Sequence, residues 1–73
     1  MNNTELILRI LLNTKTQRKR QYRTVTYILL GMNVTVSKNM SVKIDELVAQ
    51  NKVRNLRMLL DNYSENIITN FKG

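Results

Sequence analysis

The sequence predicts a mainly α-helical domain of three to four helices, on three observations. Apolar side chains recur with helical spacing in residues 4–13 and again in residues 38–50. Thr4 and Ser37 are residues that can cap the start of a helix, and Gly31 and Asn51 are residues that can end one. A chain of 73 residues has the length of one domain, so we assign residues 1–73 to a single binding domain.

The first helix is predicted to run from Thr4 to about Asn13. The Thr4 hydroxyl can accept a backbone N–H that has no partner within the helix, and Glu5 favours the positive end of the helix dipole. Its apolar residues cover much of the circumference, which predicts a central core helix. They are Leu6, Ile7, Leu8, Ile10, Leu11 and Leu12.

A second helix is predicted after a connector at residues 14–17. Arg18, Tyr22, Val25 and Leu29 share one helical stripe. The β-branched and aromatic content of residues 22–30 would also suit a strand, but we favour the helix, ended by Gly31 in the left-handed conformation.

The third helix is predicted from about Ser37 to Gln50, after a short extended segment or turn at residues 32–36. Ser37 can cap it, and Asn51 can take the left-handed conformation that ends it. The apolar stripe follows the positions i, i+4, i+7 and i+8. It consists of Met40, Ile44, Leu47 and Val48.

The sequence is compatible with two structures for the C-terminal segment. Val53, Leu56, Leu60 and Tyr63 fit a helix. Read with period 2, residues 56–60 would instead form one strand of a β-hairpin, with a loop at 61–66 and a second strand at 67–71. We favour the helix.

The composition excludes most enzymes. The chain has no cysteine and no histidine, so it lacks the thiolate and imidazole ligands of zinc sites, a cysteine nucleophile and a histidine base. Adjacent acids such as Asp45 and Glu46 point about 100° apart on a helix and predict surface charges. We therefore expect no enzymatic activity, and we assign no catalytic, cofactor-binding or metal-ligating residue.

The apolar runs are too short for a membrane protein. Tyr27–Met32, the longest uncharged apolar run, is far below the roughly 20 residues of a membrane-spanning helix. No basic residue precedes the run at residues 6–12, although a signal peptide has its basic region first. We expect a cytoplasmic protein without a membrane span.

The net charge of +7 is concentrated in the first forty residues, which hold seven basic residues and one acid. Six of the basic residues lie between Arg9 and Arg23 with no acid among them. This density favours phosphate binding over a merely solvated face. Tyr22 and Tyr27 interleave with the cluster and could stack on unpaired bases, although tyrosines at this spacing more often belong to a core or its rim.

Residues 34–53 resemble the recognition helix and wing entrance of winged helix-turn-helix regulators, including the multiple-antibiotic-resistance type. Ser37 matches the Ser or Thr that opens the recognition helix in that family, and residues 44–47 (Ile-Asp-Glu-Leu) match the turn that packs this helix against the domain. Residues 51–53 match the step that leads into the wing, although Asn51 stands where the family has glycine. The resemblance implies a helix-turn-helix fold, with a β-hairpin wing as the alternative for the C-terminal segment. It also implies that Lys38, Asn39, Val42 and Lys43 face the major groove while Arg18, Lys19, Arg20 and Arg23 hold phosphates.

These features predict a small basic nucleic-acid-binding protein, a DNA-binding transcriptional regulator or accessory factor, with RNA as a second target and a homodimer as its form. The predicted contacts are made by Lys15, Arg18, Lys19, Arg20, Arg23, Lys38, Asn39 and Lys43. The alternative is a protein–protein interaction module, such as an inhibitor from a mobile element, that docks on an acidic surface of a larger host protein.

Overall fold

A four-stranded antiparallel sheet, with three helices, forms the framework of the protein. The computed structural model describes residues 3–71. Along the chain the elements are α1 (Asn3–Leu12), β1 (Gln17–Arg20), β2 (Thr24–Leu29), β3 (Met32–Ser37), α2 (Lys38–Ala49), α3 (Val53–Tyr63), a short 3₁₀ turn (Ser64–Asn66) and β4 (Ile68–Phe71). The strands lie in the order β1-β2-β3-β4. The mainly α-helical helix-turn-helix prediction is therefore wrong, and the fold is mixed α and β.

The register of the sheet separates an apolar face from a polar one. Val25 lies opposite Val36 and Tyr27 opposite Val34, and all four side chains are buried in the core. The alternate positions point to the other face, where the hydroxyls of the opposed residues Thr26 and Thr35 lie 2.9 Å apart. This alternation is the period-2 pattern of a sheet with one covered face.

The three helices close the core over the apolar face. The most deeply buried helical residues are Ile7 of α1, Ile44 of α2, and Leu56 and Leu60 of α3, each at most 1% exposed. Packing of α1 on the sheet confirms its predicted role as a core helix. None of the helices in the described part of the chain combines the length and apolar character that crossing a bilayer requires.

The second predicted helix is wrong, because residues 24–29 form β2 in the centre of the sheet. Gly31 does take the predicted left-handed conformation, with a φ of 82°. It does so in the two-residue turn between β2 and β3, where a positive φ favours glycine. Pairing with strands on both sides satisfies the backbone of β2 and overrides the helical stripe.

The third predicted helix is confirmed as α2, with both of its predicted ends. The Ser37 hydroxyl accepts a hydrogen bond from the Met40 N–H at 3.2 Å, and Asn51 has a φ of 55°. The element before α2 is the strand β3, whereas a helix-turn-helix would require a helix there, joined to α2 by a turn.

The C-terminal segment contains a helix and a strand in succession. The favoured helix is confirmed as α3, and the wing hairpin is wrong because residues 56–60 lie within that helix. Residues 68–71 do form a strand, but β4 pairs with β3 rather than with residues 56–60.

Candidate nucleic-acid interface

The turn of the β1–β2 hairpin lies beside the start of α2. The turn consists of Gln21, Tyr22 and Arg23. The Gln21 N–H donates to the Thr24 carbonyl at 2.9 Å, and the Lys38 N–H, at the first residue of α2, donates to the Arg23 carbonyl at 3.1 Å. Backbone hydrogen bonds therefore fix this turn to β2 on one side and to α2 on the other.

Cationic and polar side chains gather at this junction, in a surface that we call the hairpin–helix patch. It comprises Arg20, Tyr22, Arg23, Lys38 and Asn39, all of them exposed. Four of the five residues, together with Ser37, line an open depression of about 430 Å³, and Arg20 lies beside Lys38 along an adjoining small cavity.

Tyr22 is the most prominent side chain of the hairpin–helix patch. It is 87% exposed, and the Arg23 guanidinium lies 5.7 Å from the centre of its ring. An aromatic ring beside a guanidinium offers a planar surface and a positive charge to the same ligand.

One acid, Asp45, lies near the hairpin–helix patch, where it lines the small cavity that Arg20 and Lys38 share. Among residues 3–71, no carboxylate lies within ion-pair distance of Arg20, Arg23 or Lys38. Asp45 is instead engaged by Arg18, with 3.1 Å between Nη1 and Oδ1. The patch therefore presents three cations to solvent.

Arg18 is thus not placed as the resemblance implied. Its guanidinium lies 5.1 Å from the centre of the Tyr27 ring, and the Tyr27 hydroxyl donates to the same Asp45 oxygen at 3.0 Å. These contacts join three elements, since Arg18 lies on β1, Tyr27 on β2 and Asp45 on α2. We call the three side chains the Arg18–Asp45–Tyr27 cluster. Tyr27 is a core residue, as tyrosines at this spacing more often are, and Arg18 is paired with an acid of the same chain.

The remaining predicted contacts are dispersed. Lys19 alternates with Arg18 and Arg20 along β1, so its side chain points to the polar sheet face beside Thr26. Lys15 lies at the opposite end of β1, where it lines a groove with Leu30. Lys43 follows Asn39 by one helical turn and lines a second open cleft of about 420 Å³ with Tyr63 and Asn66.

Burial raises the pKa of Tyr27 above its usual value of 10, and both the charge of Asp45 and the hydrogen bond to it raise that pKa further. In the unfolded chain the phenol ionises near pH 10, whereas the folded chain retains the proton. The stabilisation is therefore fully present below pH 10 and is lost as the pH rises above it.

We expect the free energy of unfolding to fall above pH 10 by as much as about 1.4 kcal/mol per pH unit from Tyr27 alone. Tyr27→Phe removes this contribution. The variant should be less stable at pH 7 by about 1 kcal/mol, for the lost hydrogen bond to Asp45. Urea unfolding of both chains between pH 7 and 11 should show this difference shrinking above pH 10. A difference that stays constant over the whole range would contradict the prediction.

Residues 3–71 bring no group of three or more aspartate or glutamate side chains together as metal ligands. Comparison of the chain with protein-family models, curated proteins and solved structures gives no match.

Proposed function

We propose that this protein binds single-stranded nucleic acid through the hairpin–helix patch. Arg20, Arg23 and Lys38 bind phosphates, and the Tyr22 ring stacks on an unpaired base. The observation that carries the proposal is the exposed Tyr22 ring, held on a fixed turn among cations that form no ion pair with a described carboxylate. Alternation of basic side chains and an aromatic platform is the common pattern of surfaces that bind unpaired bases.

The fixed turn supports binding because it lowers the entropy lost when a ligand orders the surface. Tyr22 lies between two backbone hydrogen bonds, from Gln21 to Thr24 and from Lys38 to Arg23. The backbone that carries the ring and the neighbouring cations therefore needs little ordering when a ligand binds. A solvated basic segment without these bonds would have to be ordered at each binding event.

Single strands fit this surface better than duplex. Base pairs within a duplex are stacked on each other, so a side chain such as Tyr22 finds a free base face only in unpaired regions. The groove-reading geometry implied for Lys38, Asn39 and Lys43 depended on a helix-turn-helix, which the fold replaces with a strand before α2. We assign Lys38 to phosphate and leave Asn39 as a polar neighbour of the base.

Binding should be measured with single-stranded DNA, single-stranded RNA and duplex DNA across a salt series. For three phosphate contacts we expect the logarithm of the association constant to fall with the logarithm of salt with a slope of about −2 on single strands. Comparison of DNA with RNA shows whether the 2′-hydroxyl contributes. Absence of binding to all three at low salt would overturn the proposal and leave an acidic protein surface as the target of the patch.

Tyr22→Ala tests the stacking contact separately from the charges. Stacking of one base on an aromatic side chain contributes about 1–3 kcal/mol, so the variant should bind single strands about tenfold or more weakly with an unchanged salt slope. Tyr22→Phe keeps the ring and should retain the native affinity. Equal affinities of the native chain and Tyr22→Ala would show that the ring does not contact a base.

A further inference from the structure

The two outer strands of the sheet have edges of opposite character. An outer strand presents backbone N–H and C=O groups without partners, and proteins commonly protect such edges with charged side chains. At one edge, β1 has the sequence Gln-Arg-Lys-Arg, with three cations in four residues. At the other, β4 has the sequence Ile-Thr-Asn-Phe, without a charge. Within residues 68–71, the β4 edge therefore lacks the charged side chains that protect the β1 edge.

Exposed apolar side chains surround the unprotected edge. Ile68 and Phe71 of β4 are 61% and 78% exposed, and Leu30 in the neighbouring β2–β3 turn is 98% exposed. Phe71 and Leu30 border a largely apolar groove of about 230 Å³, which is also lined by Leu6, Met32 and one cation, Arg9. An open strand edge among exposed apolar side chains is suited to pairing with another strand.

We propose that β4 pairs antiparallel with β4 of a second copy of this chain, joining two sheets into one of eight strands. Pairing of identical strands about a two-fold axis uses the same surface on both copies and closes at the dimer. The inference is independent of the proposed function, because the hairpin–helix patch and the β4 edge lie on different parts of the molecule.

The charge distribution favours a second copy at this edge. With a net charge of +7, two copies repel each other over most of their surface, but residues 68–71 carry no charge, and among the described residues that line the adjoining groove only Arg9 is charged. In the eight-stranded sheet, the two β1 strands are seven strand spacings apart, which is about 34 Å at about 4.8 Å each. This exceeds the Debye length of about 8 Å at physiological salt several times, so repulsion between the two basic edges is screened.

The sheet also restricts the register of the pair. Residues directly opposite each other in an antiparallel pair point to the same face, and the helices of both copies must cover the same face of the joined sheet. Only a register centred on a residue meets this condition. We therefore place either Thr69 opposite its counterpart or Asn70 opposite its counterpart, since these are the central residues of β4.

Single cysteine variants of the full chain test the pairing directly. The native chain has no cysteine, so one introduced thiol can form a disulfide only with a second copy. At the centre of the register the Cα atoms would lie about 4.5–5.5 Å apart, within the range of disulfides. Under mild oxidation we expect Thr69→Cys or Asn70→Cys to form a dimer efficiently, while Lys19→Cys on the protected β1 edge stays monomeric. Equal cross-linking at Lys19→Cys would show random collision and overturn the proposal.

Sedimentation equilibrium of the native chain without nucleic acid provides the second measurement. We expect twice the chain mass of 8.6 kDa at high concentration. Asn70→Lys should shift the protein to monomer, and the matched control Asn62→Lys, at an exposed position of α3, should not. Circular dichroism checks that both variants remain folded. A native chain that stays monomeric at millimolar concentration, or an Asn70→Lys variant that stays dimeric, would overturn the proposal.

Discussion

Replacing Arg20, Arg23 and Lys38 together by glutamine is expected to lower the affinity for single-stranded nucleic acid about 100-fold at 0.1 M salt. Each phosphate contact on a single strand contributes about 0.7 to the logarithmic salt slope. Relative to 1 M salt, one contact therefore increases affinity about fivefold at 0.1 M, and three contacts increase it about 100-fold. The salt slope should fall towards zero with the affinity. Fluorescence anisotropy of a labelled oligonucleotide across the salt series measures both quantities.

A matched variant distinguishes the hairpin–helix patch from the net charge of the chain. Lys15, Lys52 and Arg54 are exposed cations outside the patch, and replacing them by glutamine removes the same total charge. We expect this control to keep most of its affinity and nearly all of its salt slope, since salt screens charges beyond about one Debye length. Losses equal to those of the patch variant would show that the protein binds by its overall charge, and the assignment of these three residues would be wrong.

Arg18 is left out of the patch variant for a structural reason. Its guanidinium forms an ion pair with Asp45 and lies over the Tyr27 ring. Replacement by glutamate would place a second carboxylate against Asp45, where it would perturb the packing of β1 on α2. Loss of binding in such a variant would therefore not separate a phosphate contact from a change in the fold.

The helices were predictable from the sequence where their signals are local. The Ser37 cap, the apolar stripe of α2 and the left-handed Asn51 all lie within about fifteen residues of one another, and each is present in the structure. A cap bonds two or three residues away, and a stripe repeats every three or four. Such features can be found without knowing where the rest of the chain lies.

The sheet was not predictable in the same way, because its stabilising contacts are distant in sequence. Residues 22–30 contain both a helical stripe and the alternation Val25, Tyr27, Leu29. The alternation prevails because β2 has a partner on each side, in β1 and β3. The stability that these partner strands contribute depends on packing between side chains of different strands, and a local sequence pattern does not show which strands will be neighbours.

The same misassignment changes where the predicted phosphate-binding side chains lie. On the predicted helix, Arg18, Lys19, Arg20 and Arg23 would have lain together near its start, where the resemblance has them hold phosphates. On a strand, neighbouring side chains point to opposite faces, so Lys19 separates from Arg20. The acid that neutralises Arg18 is Asp45 on α2, a partner that only the tertiary structure brings near. The exposed cations of the patch, by contrast, were all among the predicted residues.

The largest expected effect on stability comes from Ile44→Ala. Ile44 is 0% exposed and attaches α2 to the core formed by the sheet and α3. Truncation of a buried isoleucine removes apolar contacts and leaves a cavity, at a cost of about 2–5 kcal/mol. A chain of this length has a total stability of about 4–11 kcal/mol. At about 1 kcal/mol per molar urea, the unfolding midpoint should fall by roughly 2 M or more, as measured by circular dichroism.

Val42→Ala is the matched control, because Val42 is 53% exposed on the same helix. Both substitutions replace a β-branched residue by alanine, which raises helix propensity, so their difference isolates burial. We expect Val42→Ala to change the free energy of unfolding by about 0.5 kcal/mol or less. Equal losses in the two variants would mean that α2 is rotated about its axis from the orientation described. Lys38, Asn39 and Lys43 would then point in other directions than those described. This pair of variants therefore tests the orientation of α2 at the hairpin–helix patch as well as its packing in the core.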